Sequence, residues 1–166
     1  YETNEVIKEF EDGWKVVYVP AVGEGPNYKG DQSKSNDRTV EGNILGLCLG
    51  ASSGLYQTNS NGKIYSVRDP NNNPKVTIRI DNNILKEAKG KNNLAPDVEA
   101  AKKTAKWLES QDELQYKDSR DFQQFPPLNA QDAKNKFERN PDEAYSKGWI
   151  VNWYRSGVDP IDNSIE

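Results

Sequence analysis

The sequence predicts an α+β domain, a small antiparallel β-meander sheet packed by a helix and followed by a C-terminal α-helical extension. Three observations lead there. Residues 63–91 hold three apolar runs separated by turns too short for a parallel crossover. Residues 14–20 form a β-branched and aromatic run, Trp14-Lys15-Val16-Val17-Tyr18-Val19, stopped by Pro20. Beyond Asn92-Asn93 the apolar residues recur at helical intervals.

Along the chain, residues 1–12 are acidic and place Val6, Ile7 and Phe10 at helical spacing, which suits a short amphipathic helix or a frayed end equally. Gly13 opens the strand at 14–20, and residues 21–36 read as a long loop. A helix is expected over 37–49, N-capped by Ser35, Asn36 or Asp37. Val40, Ile44, Leu45, Cys48 and Leu49 would form its buried face, and Gly50 its stop.

In the meander, strands are expected at Lys63–Asp69, Lys75–Asp81 and Ile84–Lys91. The turns between them are Pro70–Pro74 and Asn82-Asn83. Side chains alternate across a strand, so Val76, Ile78 and Ile80 share one face with Tyr65 and Val67. The other face then carries Ser66, Arg68, Thr77 and Arg79, and Glu87, Lys89 and Lys91 can complete it.

Pro96 is expected in the first turn of the next helix, with Asp97 and Glu99 favourably placed against its dipole. Val98, Ala101, Ala105 and Leu108 form its buried stripe to about Glu109. An aromatic connector over 110–129 contains Tyr116, Phe122 and Phe125, and Ala130, Ala133 and Phe137 suggest a further short helix. Asn140-Pro141 starts the last one, with Tyr145, Trp149 and Trp153 at four-residue intervals and Gly157 as its end.

Composition narrows the chemistry. With 166 residues, one Cys, no His and no Met, the chain is expected to be one soluble domain, or one and a half, and a piece of a longer polypeptide. No apolar run is long enough for a bilayer span, so no membrane association is expected. The lack of His removes Ser-His-Asp triads, Cys-His dyads and Cys₂His₂ zinc sites from this stretch. No cofactor and no metal site is expected. The net charge of −4 divides into −4 over 1–62, +4 over 63–91 and −4 over 92–166, from 5 basic and 9 acidic, 7 and 3, and 10 and 14 side chains. The acidic flanks oppose general nucleic-acid binding, which depends on phosphate neutralisation, so contact with nucleic acid through the basic residues 63–91 is open but not favoured, and a local anion site there is open too.

Four motifs recur in order: Glu41-Gly42 with Gly46-Leu47-Cys48-Leu49-Gly50, then Lys63-Ile64-Tyr65-Ser66-Val67-Arg68-Asp69-Pro70, then Val76-Thr77-Ile78, then Glu87 with Gly90-Lys91 and Asn93. In this order they resemble the PcfJ-like family of phage and conjugative-plasmid proteins, over about residues 38–93. The resemblance implies a viral or mobile-element setting, in the host-cell cytoplasm or the virion, and no particular reaction. It divides the chain into a PcfJ-like α+β domain over 1–93 and a helical extension over 94–166. The family often has His or Asn before the cysteine, where this chain has Leu47; Glu87 and Arg79 stand where Gln and Glu are usual.

Two groups of residues are the functional candidates. Ser66, Arg68, Thr77, Arg79, Lys89 and Lys91 could hold an anion or another ligand, because guanidinium forks and hydroxyls on adjacent strands suit carboxylate and phosphate; a solvated outer sheet face has the same composition. Tyr145, Trp149 and Trp153 suit either an interface or the core. Cys48 has no His to activate it and reads as a small buried apolar residue. The leading expectation is a non-catalytic binding or structural module of a larger phage or mobile-element protein, contacting other protein chains. The alternative is an enzyme or a nucleotide- or anion-binding domain that uses the basic face of the meander.

Overall fold

A computed structural model of the chain describes residues 4–21, 37–46 and 59–148. Five strands, β1 (Val6–Glu9), β2 (Lys15–Val19), β3 (Lys63–Arg68), β4 (Pro74–Asp81) and β5 (Ile84–Lys89), form one antiparallel sheet in that spatial order. The helices are α1 (Asp37–Leu45), α2 (Val98–Glu109), the single turn α3 (Arg120–Gln123), α4 (Ala130–Arg139) and α5 (Pro141–Ser146). Lys91, at the predicted end of the third strand, lies instead in a 3-10 turn, Lys91–Asn93.

The N-terminal segment is a strand, not the helix that its spacing allowed. Gly13, at φ +92°, lets the chain reverse, with Phe10 N–H donating to Trp14 O at 2.7 Å. Val6 then pairs with Val17 and Glu9 with Lys15, around a bulge between Val6 and Lys8. Three apolar residues in twelve are a weak helical signal, and strand pairing with a β-branched neighbour overrides it.

The meander follows the predicted turns. Asp69 Oδ1 accepts the N–H groups of Asn71 (3.0 Å) and Asn73 (2.9 Å), and Asn72 adopts φ 66°. Asn82 (φ 50°) and Asn83 (φ 62°) close the next hairpin in two consecutive left-handed residues, the twist that suits adjoining strands.

The sheet is covered on both sides. On one side, Val16, Val67, Val76 and Ile78 pack with Ala100, Ala101, Trp107 and Leu108 of α2 and with Phe125, the face assignment read from alternation. Tyr65 and Ile80 lie at the margin of this core. Trp107, which the predicted stripe omits, is 3% exposed, with its ring 5.0 Å from that of Tyr65. Asp97 is the N-cap of α2, its Oδ1 accepting Ala100 N–H at 2.9 Å, so Pro96 precedes the cap rather than occupying the first turn. The connector after α2 closes the core through a row of rings, Tyr116–Phe122 at 5.0 Å and Phe122–Phe125 at 5.1 Å.

The other side is covered by α1, whose orientation differs from expectation. Asp37, Arg38, Glu41 and Leu45 are buried, whereas Val40 and Ile44 are 39% and 50% exposed. Gly46, at φ +69°, follows the helix end, so α1 closes before the predicted Gly50. Cys48 and Leu49 lie outside the described residues.

The α4–α5 hairpin has a small core of its own, Ala133, Ala144 and Phe137. Lys147 caps α5 and Gly148 turns left-handed at φ +68°, so the helix stops well before Gly157. Trp149 and Trp153 lie outside the described residues.

The edges of the sheet are unlike. At β5, Leu85 N–H donates to Gln115 O at 2.9 Å and Ala88 N–H donates to Asp121 Oδ2 at 3.0 Å. At β1, no described residue pairs with the outer side.

Ile78 is fully buried beneath α2, and Ile78→Ala is expected to cost about 2–5 kcal/mol, measured by urea unfolding. Partial burial pushes the Asp69 carboxyl up, but the hydrogen bonds from Asn73 and Asn71 and the charge of Lys75 outweigh it and hold it below its ordinary value of 3.8. A lowered folded-state value stabilises the fold above the unfolded value and loses that contribution as pH falls through the folded one. Thermal unfolding across the acid range should therefore show a shallower loss of stability below pH 3.8 in Asp69→Ala than in the parent chain.

Candidate functional site

The polar face of the meander is the most elaborate cluster of charged groups in the described chain. β3 contributes Ser66 and Arg68, and β4 contributes Thr77 beside them in register, Ser66 opposite Thr77. Alternation turns all three away from the α2 core, towards α1. Glu41 shares a side of α1 with both Asp37 and Arg38 because positions four and three apart are neighbours on a helix surface, and all three are buried.

Arg68 and Glu41 meet at the centre, Nη2 to Oε1 3.6 Å, with side chains 1% and 0% exposed. Thr77 Oγ1 donates to the other carboxylate oxygen of Glu41 at 2.7 Å. Arg68 Nη2 donates to Asn4 Oδ1 at 2.7 Å, and Asn4 Nδ2 donates onward to Asp37 Oδ2 at 2.8 Å. Arg68 Nη1 reaches Asn72 Oδ1 at 3.3 Å, tying the cluster to the β3–β4 turn. Arg38 Nε donates to Val19 O at 3.1 Å, and its Nη2 donates to Asn59 Oδ1 at 2.5 Å. Two arginines and two carboxylates thus form a neutral set, as removal of charge from water requires. Ser66 Oγ is buried with no hydrogen-bond partner among the described residues, an arrangement that costs about 1–3 kcal/mol.

Of the six predicted ligand-binding residues, the structure brings three together. Ser66, Arg68 and Thr77 lie under α1, buried rather than on a solvated face. Arg79 sits on the same strand face nearer the margin, donating from Nη1 to Asn61 O at 2.7 Å and pairing with Glu87 at 3.4 Å. Lys89 stands opposite Thr77 in register on β5, with its ammonium paired to Asp121 of α3 at 3.3 Å, and Lys91 is exposed in the turn beyond β5. Tyr145 is 53% exposed on α5, its ring edge-on to Phe137 at 5.5 Å.

Asn4, Asp37, Arg38 and Glu41 are absent from the predicted site; in the sequence Asp37 stands out only as a capping candidate and Glu41 only within a motif. A signal existed, since Glu41 stands four residues from Asp37 and three from Arg38 on α1, and Ser66, Arg68 and Thr77 share the polar parity of β3 and β4. Among the described residues no group of three His, Cys, Asp or Glu could hold a metal ion, and no helix is long and apolar enough to cross a membrane.

The cluster can position α1, and its chemistry is that of mutual neutralisation. Glu41→Ala strands Arg68 without its buried counter-charge and is expected to cost about 3–5 kcal/mol in equilibrium unfolding. The double change Glu41→Leu with Arg68→Met removes both charges and should recover most of that loss; recovery of none would mean that the pair is not coupled.

Compared with protein-family models, with curated proteins and with solved structures, the chain matches none.

Proposed function

We propose that this chain is a non-catalytic binding or structural module of a larger phage or mobile-element protein, contacting other protein chains through its C-terminal helical end. The observation that carries this reading is the internal engagement of the groups that a ligand site would need. Arg68 and Thr77 are bonded to Glu41, Arg79 to Asn61 and Glu87, and Lys89 to Asp121. A guanidinium already facing a buried carboxylate has little left to offer a phosphate, and extracting it would leave Glu41 buried and unpaired.

Tyr145 supports the location of the contact. It exposes about half its surface on a short hairpin, and aromatic side chains with one wet end are favoured anchors in protein interfaces. The phage or mobile-element setting is supported by the resemblance of residues 38–93 to the PcfJ-like proteins.

A thermal-shift screen of nucleotides and oligonucleotides should give no stabilisation beyond that produced by sulfate at equal ionic strength. A nucleotide-specific shift that disappears in Arg79→Ala would replace this reading with the anion-binding one. Tyr145→Asp should weaken association with partner chains about tenfold while leaving the unfolding midpoint within a few degrees of the parent value.

A further inference from the structure

A cleft of about 880 Å³ lies between the end of β5, the start of α2 and α3. Its floor is apolar, with Ala88, Pro96, Val98 and Pro126 among the lining residues. Beside it stands Leu94, 67% exposed, the most exposed large hydrophobic side chain among the described residues.

The segment that presents Leu94 is tightly constrained. Asn92 and Asn93 are both left-handed, at φ 59° and 64°. Gly90 N–H donates to Leu94 O at 2.8 Å, and a Cβ on Gly90 would stand 3.1 Å from the Pro96 backbone. On its other side, the side-chain Oδ1 of Asn92 abuts Gly46, where a Cβ would lie 2.5 Å from it. An apolar side chain held out on so constrained a turn loses little freedom when it is covered.

The charges around the cleft indicate what covers it. Lys89 is paired with Asp121, and Lys147 with Glu143. Arg120 and Asp97 are the remaining charged residues of the lining; both are exposed and neither has an ion-pair partner among the described residues. Opposite unpaired charges in one cleft make the surface complementary to itself, whereas a surface of a single sign repels its own copy.

We infer that this cleft is a two-fold contact between copies of the chain, in which Leu94 of each copy covers the apolar floor of the other and Arg120 of each meets Asp97 of the other. The inference rests on the reading of the chain as a protein-binding module and adds one partner and one surface to it.

Sedimentation equilibrium of the full chain over micromolar to millimolar concentration tests it. The parent chain should show a monomer–dimer equilibrium, and Leu94→Asp and Arg120→Glu should each weaken it at least tenfold. Both side chains are exposed, so thermal unfolding of the variants extrapolated to low concentration should match that of the parent. A parent chain that stays monomeric throughout overturns the inference, as does a dimer that Leu94→Asp leaves intact. If Tyr145→Asp abolishes that surviving dimer, the cleft is wrong while the protein-binding reading stands; a nucleotide-specific thermal shift instead removes the reading itself.

Discussion

The buried pair of Arg68 and Glu41 constrains the rest of the described fold. A charged group removed from water must be neutralised where it sits, so the helix that covers this side of the sheet has to bring a carboxylate to one point. That requirement turns α1 about its axis until Glu41 faces Arg68 and Thr77, with Asp37 and Arg38 following on the same side. Val40 and Ile44 are consequently left outside. The helix is held by directed polar bonds to β2, β4 and Asn4 and by its ion pair with β3 more than by apolar contact, and Leu45 is its only large apolar residue among the buried ones.

Such an arrangement is demanding in geometry and modest in net energy. An apolar pair of the same volume would often hold α1 as firmly, because desolvation consumes much of the Coulombic gain. Polar networks differ from apolar ones in what they forbid: a rotated or shifted α1 would leave charges unmatched, whereas a greasy contact tolerates sliding. The cluster therefore selects one placement of α1 over its neighbours, and Asn4 and Asn72 extend that selection to the N-terminal segment and the β3–β4 turn.

The meander was legible in the sequence because two independent signals agree there. Period-two alternation assigned Val76 and Ile78 to one face and Thr77 to the other, and paired asparagines marked turns that need left-handed backbone. Apolar periodicity does not mark the inner face of α1, because the sheet surface beneath it presents Arg68 and the hydroxyl of Thr77. Trp107 escaped because a stripe drawn through small alanines gives no hint of a ring reaching Tyr65 from beside it. β1 depends on pairing with β2, a tertiary event that four residues cannot announce. The predicted ligand set was half legible: its residue types and shared face are real for Ser66, Arg68 and Thr77, while the carboxylate that meets them comes from another element. Lys91 separates from the set because β5 is followed by a turn, and Lys89, opposite Thr77 in register, has its ammonium drawn to Asp121 of α3.

The unlike edges of the sheet bear on how this protein can go wrong. Edge-to-edge growth of β-sheet into fibres needs two open edges on every molecule, one to receive and one to donate. At β5, Gln115 takes up the N–H of Leu85 and the Asp121 carboxylate takes up that of Ala88, so a templating strand finds these donors occupied. The outer side of β1, with which no described residue pairs, can accept one strand and then has no successor. Aggregation by sheet extension would thus end at a pair, unless α3 first comes away from β5.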